Sequence, residues 1–198
     1  SLTSSSIDLS ATSLLEASPA LTVSDFGTFT ADGATFARSS GADALLVIQS
    51  GSNATVDLSD SHLYDAGNGC IESFATEGHL LLTDVTLSSC NGVGLWARQA
   101  HVMVDGLTLN NGFTHGFELT AVRGSMTNID AQNFDGSGMI GWLESIDGEF
   151  TLSNLNGTVG ENGGLAGGNN RHIDLQTIQI TGAPAVDFDD TAGIISGL

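Results

Sequence analysis

The chain contains no lysine, and its four arginines stand against 23 acidic residues, for a formal net charge of −19. A field of that sign repels phosphate backbones and counts against nucleic acid as a partner, while it attracts cations or a basic partner. The same acidity also serves plain solubility in a salty or extracellular setting. Proline is scarce, with two residues in 198, so no Pro-rich linker divides the chain and residues 1–198 read as one domain. No apolar run approaches the roughly 18 residues of a membrane span. The longest lies near 44–48, so membrane insertion is not expected. The opening SLTSSSIDL has neither the basic region nor the apolar segment of a signal peptide, and the chain reads as a mature or excised piece. Only two cysteines occur, Cys70 and Cys90, at a spacing that fits no metal motif.

What the chain has in abundance is glycine, 26 residues, and a repeat. Residues 79–122 are two copies of one 22-residue unit, HLLLTDVTLSSCNGVGLWARQA and HVMVDGLTLNNGFTHGFELTAV. Aligning Leu82 with Val104 extends the column to Ala31, Leu58, Met126, Leu152, Leu175 and Ile195, at intervals of 27, 24, 22, 22, 26, 23 and 20. Two residues after each member stands Gly33, Asp60, Asp84, Gly106, Asn128, Asn154, Thr177 or Gly197. All but Thr177 are residues that tolerate a left-handed bend. Around the bend the apolar period is two, which makes each unit strand, bend, strand. A further strand follows a Gly/Asn-rich loop at 93–97, 116–121, 139–143 and 185–188, and no segment has a helical period. Three short strands per unit, each stacked on its equivalent in the next, describe an all-β parallel β-helix of seven or eight coils. In that register Cys70 and Cys90 fall within a few positions of each other on neighbouring units, which is compatible with a disulfide and with two free thiols.

The segments NGVGLWA and HGFEL, each followed by an apolar-x-apolar-x-Asn/Asp/Gly bend, resemble the repeats of the pectin-lyase-like superfamily. The resemblance covers roughly residues 5–198, the first unit (Ile7, Leu9, Leu14, Leu15) being least regular. It implies a right-handed solenoid but not an activity, because that architecture carries lyases, hydrolases, adhesins, phage fibres and inert surface proteins. A polygalacturonase-like hydrolase would show Asn-Thr-Asp, Asp-Asp, Gly-His-Gly and Arg-Ile-Lys on successive rungs. This chain has only Thr114-His115-Gly116 and Asp189-Asp190. Polyuronate lyases use Arg or Lys to take a proton and grip an acidic polymer, which a lysine-free acidic chain is poorly built to do.

On the third strand the outward positions include Trp96, Glu118, Glu144 with neighbouring Trp142, and Asp187. Glu118 and Glu144 are expected about one rung apart, and the two indoles roughly 10 Å apart. An exposed indole beside carboxylates suits a sugar, and two carboxylates about 5 Å apart can perform retaining glycoside hydrolysis. The first reading of the tryptophans is nevertheless packing under a loop or against another chain, with passive glycan binding second and hydrolysis last. Three residues before the column stand Thr28, Thr55, His79, His101, Arg123, Glu149 and His172, so His79 and His101 stack at a corner. Paired imidazoles can hold a metal, but no third ligand is evident beyond nearby Glu77, and no metal is expected. Asp187 and Asp189 offer at most a weak calcium site, and no other cofactor is implied. The outward pairs Thr86/Ser88, Thr108/Asn110, Asn156/Thr158 and Gln179/Thr181 form polar ladders. His62/Tyr64 and Asp130/Gln132 break them, which counts against an ice-binding array. Asn53 and Asn156 lie in glycosylation sequons.

Ile194 to Leu198 reads as the start of another turn, so further rungs or another protein chain are expected at the open ends. The expected function is a non-enzymatic extracellular or cell-surface β-helix, a rigid structural or interaction module that contacts its partner through Trp96, Glu118, Trp142, Glu144 and Asp187. Two alternatives are a polysaccharide-binding or glycoside-hydrolase-like protein using Glu118 and Glu144, and a subunit of an extracellular assembly.

Overall fold

Strands this short are stable only when each is paired on both sides, and the repeat supplies the neighbours one lap away. The computed structural model describes residues 2–3, 6–10, 13–15, 21–24, 27–39, 43–49, 53–74, 77–134, 138–146, 148–159, 163–182, 186–189 and 194–196, with side chains at all of these except 2–3, 6, 7, 9, 15, 39, 133, 189 and 194–196. Among the described residues every regular element is a strand, and the strands form two stacked sheets of parallel neighbours. The chain is an all-β parallel solenoid.

Each coil has three faces. The first-face stack runs through Ser6–Ser10, Thr28–Asp32, Thr55–Ser59, His79–Ser88, His101–Asn110, Arg123–Phe134, Phe150–Val159, His172–Thr181 and Ile194–Ser196. In the early coils the second face has its own strands, Ser13–Leu15, Thr35–Ser39 and His62–Ala66. From His79 onward one long strand bends across both faces. The third-face stack comprises Leu2–Thr3, Leu21–Ser24, Leu46–Ile48, Ile71–Ser73, Val93–Arg98, His115–Thr120, Met139–Glu144, Leu165–Gly168 and Val186–Asp189. Six coils, those of Thr28–Asp32 through Phe150–Val159, are paired above and below along every strand, slightly fewer than the seven or eight expected.

The core column is as the repeat implies. Ala31, Leu58, Leu82, Val104, Met126, Leu152 and Leu175 are consecutive partners, each at most 2% exposed. Its last member is corrected: Ile195 pairs with Ile173, not Leu175, so the final lap spans 22 residues instead of 20. Gly193 and Gly197 lie outside the described residues. The polar ladders are also in register, with His62, Thr86, Thr108, Asp130, Asn156 and Gln179 in one row.

The bend column has a positive φ at each described member, from 48° at Asp60 to 80° at Gly106. Two further bend columns close the coil. Arg38, Asp65, Ser89 and Asn111 end the second face, and Glu77, Gln99, Ala121, Ser145 and Asn169 end the third, all with positive φ. Ala121 was expected inside the third strand; it is instead the corner residue after it. Polar groups that face inward are satisfied locally. The Ser61 hydroxyl accepts from the Ala34 N–H at 3.1 Å and donates to the Ser59 carbonyl at 2.8 Å. Buried Asn170 accepts from the Ile146 N–H at 2.9 Å and donates to the Leu143 carbonyl at 2.8 Å. Cys70 and Cys90 are joined in a buried disulfide with Cα atoms 5.7 Å apart, resolving the pairing left open by the sequence.

Candidate functional site

The third-face strands begin after the loops and end at the third bend, and their inward residues stack as Leu46, Ile71, Leu95, Phe117, Gly141, Leu165 and Val186. Gly141 is required there because a Cβ at that position would collide with the Phe117 ring. Between these residues and the next inward set lies one outward row: Thr22, Val47, Glu72, Trp96, Glu118, Trp142, Ala166 and Asp187. Four of the five residues singled out as contacts therefore share a row. Glu144 does not. It lies two residues along, beside Thr120 below and Gly168 above.

The expected close pair of Glu118 and Glu144 is thus corrected. Glu118 faces Trp142, and the Cα positions of the two glutamates differ by one rung and two residues, roughly 8 Å. The two glutamates are therefore not direct neighbours on adjacent rungs, the arrangement expected for a close carboxylate pair. Trp96 and Trp142 are two rungs apart in the row, about 10 Å between their backbone positions.

The two tryptophans have different surroundings. Both are half-buried. The Arg98 guanidinium lies over the Trp96 ring, 4.4 Å from its centroid, and the Phe74 ring meets Trp96 edge-on at 5.1 Å. The Trp96 Nε1 is buried with no hydrogen-bond partner among the described residues, a cost of about 1–3 kcal/mol carried by this packing. Trp142 instead donates from Nε1 to Glu144 Oε2 at 3.4 Å. It walls a surface depression of about 240 Å³ shared with Glu144, Ala166, Gly168, Asn169 and Asp187. The depression exists because Ala166 and Gly168 stand directly above Trp142 and Glu144 and have almost no side chain.

Other titratable groups flank this row. His115 Nδ1 lies 3.9 Å from Glu118 Oε2; burial pushes the imidazole below its ordinary value, against the upward pull of Glu118. Burial raises the Glu72 carboxyl, helped by Asp43, while the Asn68 amide donates to it at 3.2 Å. At the corner before the first face, the His79 and His101 rings lie one above the other with centroids 5.0 Å apart and planes tilted by 57°, and Arg123 follows in register. Burial, then His79 and Arg123, lower the His101 value. Among the described residues no group of three or more His, Cys, Asp or Glu is placed to hold a metal ion. The Asp189 side chain, half of the suggested calcium pair, lies outside the described residues, and Asp187 is exposed.

Arg98, Phe74 and the Ala166/Gly168 gap were not singled out from the sequence. Arg98 was legible in principle: it follows Trp96 by two residues on a strand, which puts both on one face. The gap was not, since Leu165–Gly168 had not been recognised as a third-face strand. No family model, curated protein or solved structure matches the chain.

Proposed function

We propose that this chain is a non-enzymatic extracellular or cell-surface β-solenoid, a rigid module that meets its partner through the third face. The observation that carries the reading is the outward row of one parallel sheet in which Trp96, Glu118 and Trp142 stand on successive rungs, with Asp187 two rungs further on beyond Ala166. Aromatic rings held rigidly beside carboxylates form a contact surface at low entropic cost. Location outside the cell is supported by the Cys70–Cys90 disulfide, which persists in oxidising compartments, and by the lysine-free acidic surface. Kinship with the right-handed helices of the pectin-lyase-like superfamily is proposed on the three-faced parallel coil and the NGVGLWA and HGFEL segments.

A second reading, glycan binding or cleavage on the same face, is favoured by the two indoles about two rungs apart with Glu118 between them. Turnover separates the proposal from the cleavage form of that reading. Wild type and the Glu118→Gln/Glu144→Gln double variant, incubated with a panel of polysaccharides, are expected to release no product. Product from the wild type and none from the double variant would replace the proposal with a polysaccharide-cleaving enzyme using these two glutamates.

A further inference from the structure

The two tryptophans of the third face stand in one row and differ in what packs against them. At Trp96 the residue two positions along the strand is Arg98, and its guanidinium sits 4.4 Å from the indole centroid. At Trp142 the residue in the same relation is Glu144, which accepts from the indole N–H. The space that a side chain fills elsewhere in the row is left empty there by Ala166 and Gly168, and Asp187 stands across the depression. An indole face attracts a cation through its quadrupole, and carboxylates at its edge supply the counter-charge and hydrogen-bond acceptors. The chain carries a net charge of −19 with only four arginines and no lysine, so it is poorly supplied to fill that seat itself.

We infer that the Trp142 depression receives an arginine side chain from a basic partner protein, its guanidinium lying on the indole and paired with Glu144 and Asp187. This inference rests on the reading of the third face as the contact surface and names the chemistry of what it contacts. Guanidinium is favoured over a sugar for two reasons: the chain's own Arg98 demonstrates that contact on the sister ring, and the flanking groups are anionic. A planar fork also matches two carboxylates better than a point charge does.

The test follows the two indole N–H signals of the ¹⁵N-labelled chain, assigned with Trp96→Phe and Trp142→Phe. The probes are acetyl-Gly-Arg-Gly-amide, its citrulline counterpart (a neutral isostere) and a neutral β-1,4-linked oligosaccharide. The arginine peptide is expected to shift the Trp142 signal saturably and at least about tenfold more tightly than the citrulline peptide, while Trp96 stays still. Glu144→Gln/Asp187→Asn should weaken the titration several-fold, and Arg98→Ala should make Trp96 respond. Equal response to arginine and citrulline overturns the inference, as does a titration unchanged by Glu144→Gln/Asp187→Asn, which would mean diffuse charge attraction. A response to the oligosaccharide alone overturns it while preserving the third face as a contact surface. Silence toward all three probes overturns both.

Discussion

His101 is held between His79 on one rung and Arg123 on the next, in a chain with few other positive groups. Burial and those two neighbours resist its protonation, and burial does the same at His62 and His115. A histidine whose folded value is depressed contributes no penalty above the ordinary value of 6.5. As pH falls through 6.5 toward the folded value, the unfolded chain takes up a proton that the folded chain refuses, and stability declines. Glu72, raised from 4.5, works in the opposite sense at lower pH. Urea midpoints of wild type and His101→Asn, measured between about pH 7 and pH 5, should isolate the effect, because every other group is common to both. The wild type is expected to lose more stability across that interval; parallel curves would show that His101 carries none of the pH dependence. The corner stack itself was legible from the repeat, because His79 and His101 occupy the same place in two successive units. The direction of the His101 shift was not, since it depends on how far the ring is covered.

Between the strands, the bends govern how the coil closes. Gly33, Asp60, Asp84, Gly106, Asn128 and Asn154 suit a left-handed backbone, and Thr177 at φ 55° does not. A β-branched residue there brings its side chain against the backbone at about 1 kcal/mol. Asn128 and Asn154 gain in addition from a ladder, Asn154 donating to Asn128 at 3.1 Å and Asn128 to Asp105 at 2.7 Å. Thr177→Asn should therefore raise stability by about 1 kcal/mol, a gain of about 2–4 °C in Tm, and Asn154→Thr should lower it by at least as much. Calorimetry on both variants checks the pair, and a Thr177→Asn protein no more stable than wild type would mean the backbone relaxes at that corner. This bend column was readable because only a few residue types fit it. The other two columns were less visible, because Asp65, Asn111 and Asn169 share them with Arg38, Ser89, Gln99, Ala121 and Ser145, which carry no such preference and owe their left-handed backbone to coil closure. For the same reason third-face strands with a distinctive run, such as Val93–Arg98, were recognised, whereas Leu165–Gly168 was not. A run of small residues has no visible period.

At the scale of the whole molecule, the solenoid converts sequence spacing into a ruler. Each lap advances about 4.8 Å, so the third-face row from Thr22 to Asp187 spans seven intervals through Val47, Glu72, Trp96, Glu118, Trp142 and Ala166. The proposed contact surface, the difference between the capped Trp96 and the open Trp142, and the placement of Glu144 off the row all derive from that one register. The disulfide between neighbouring coils and the close-packed columns beneath the row give the face its rigidity. Spin labels at Thr22→Cys and Asp187→Cys, both at least partly exposed and on the same face, measure the row directly by electron–electron dipolar spectroscopy. The register predicts one narrow distribution centred near about 34 Å, widened only by the label linkers. A broad distribution, or a maximum below about 25 Å or beyond about 45 Å, would contradict the stacked row and every outward assignment made from it.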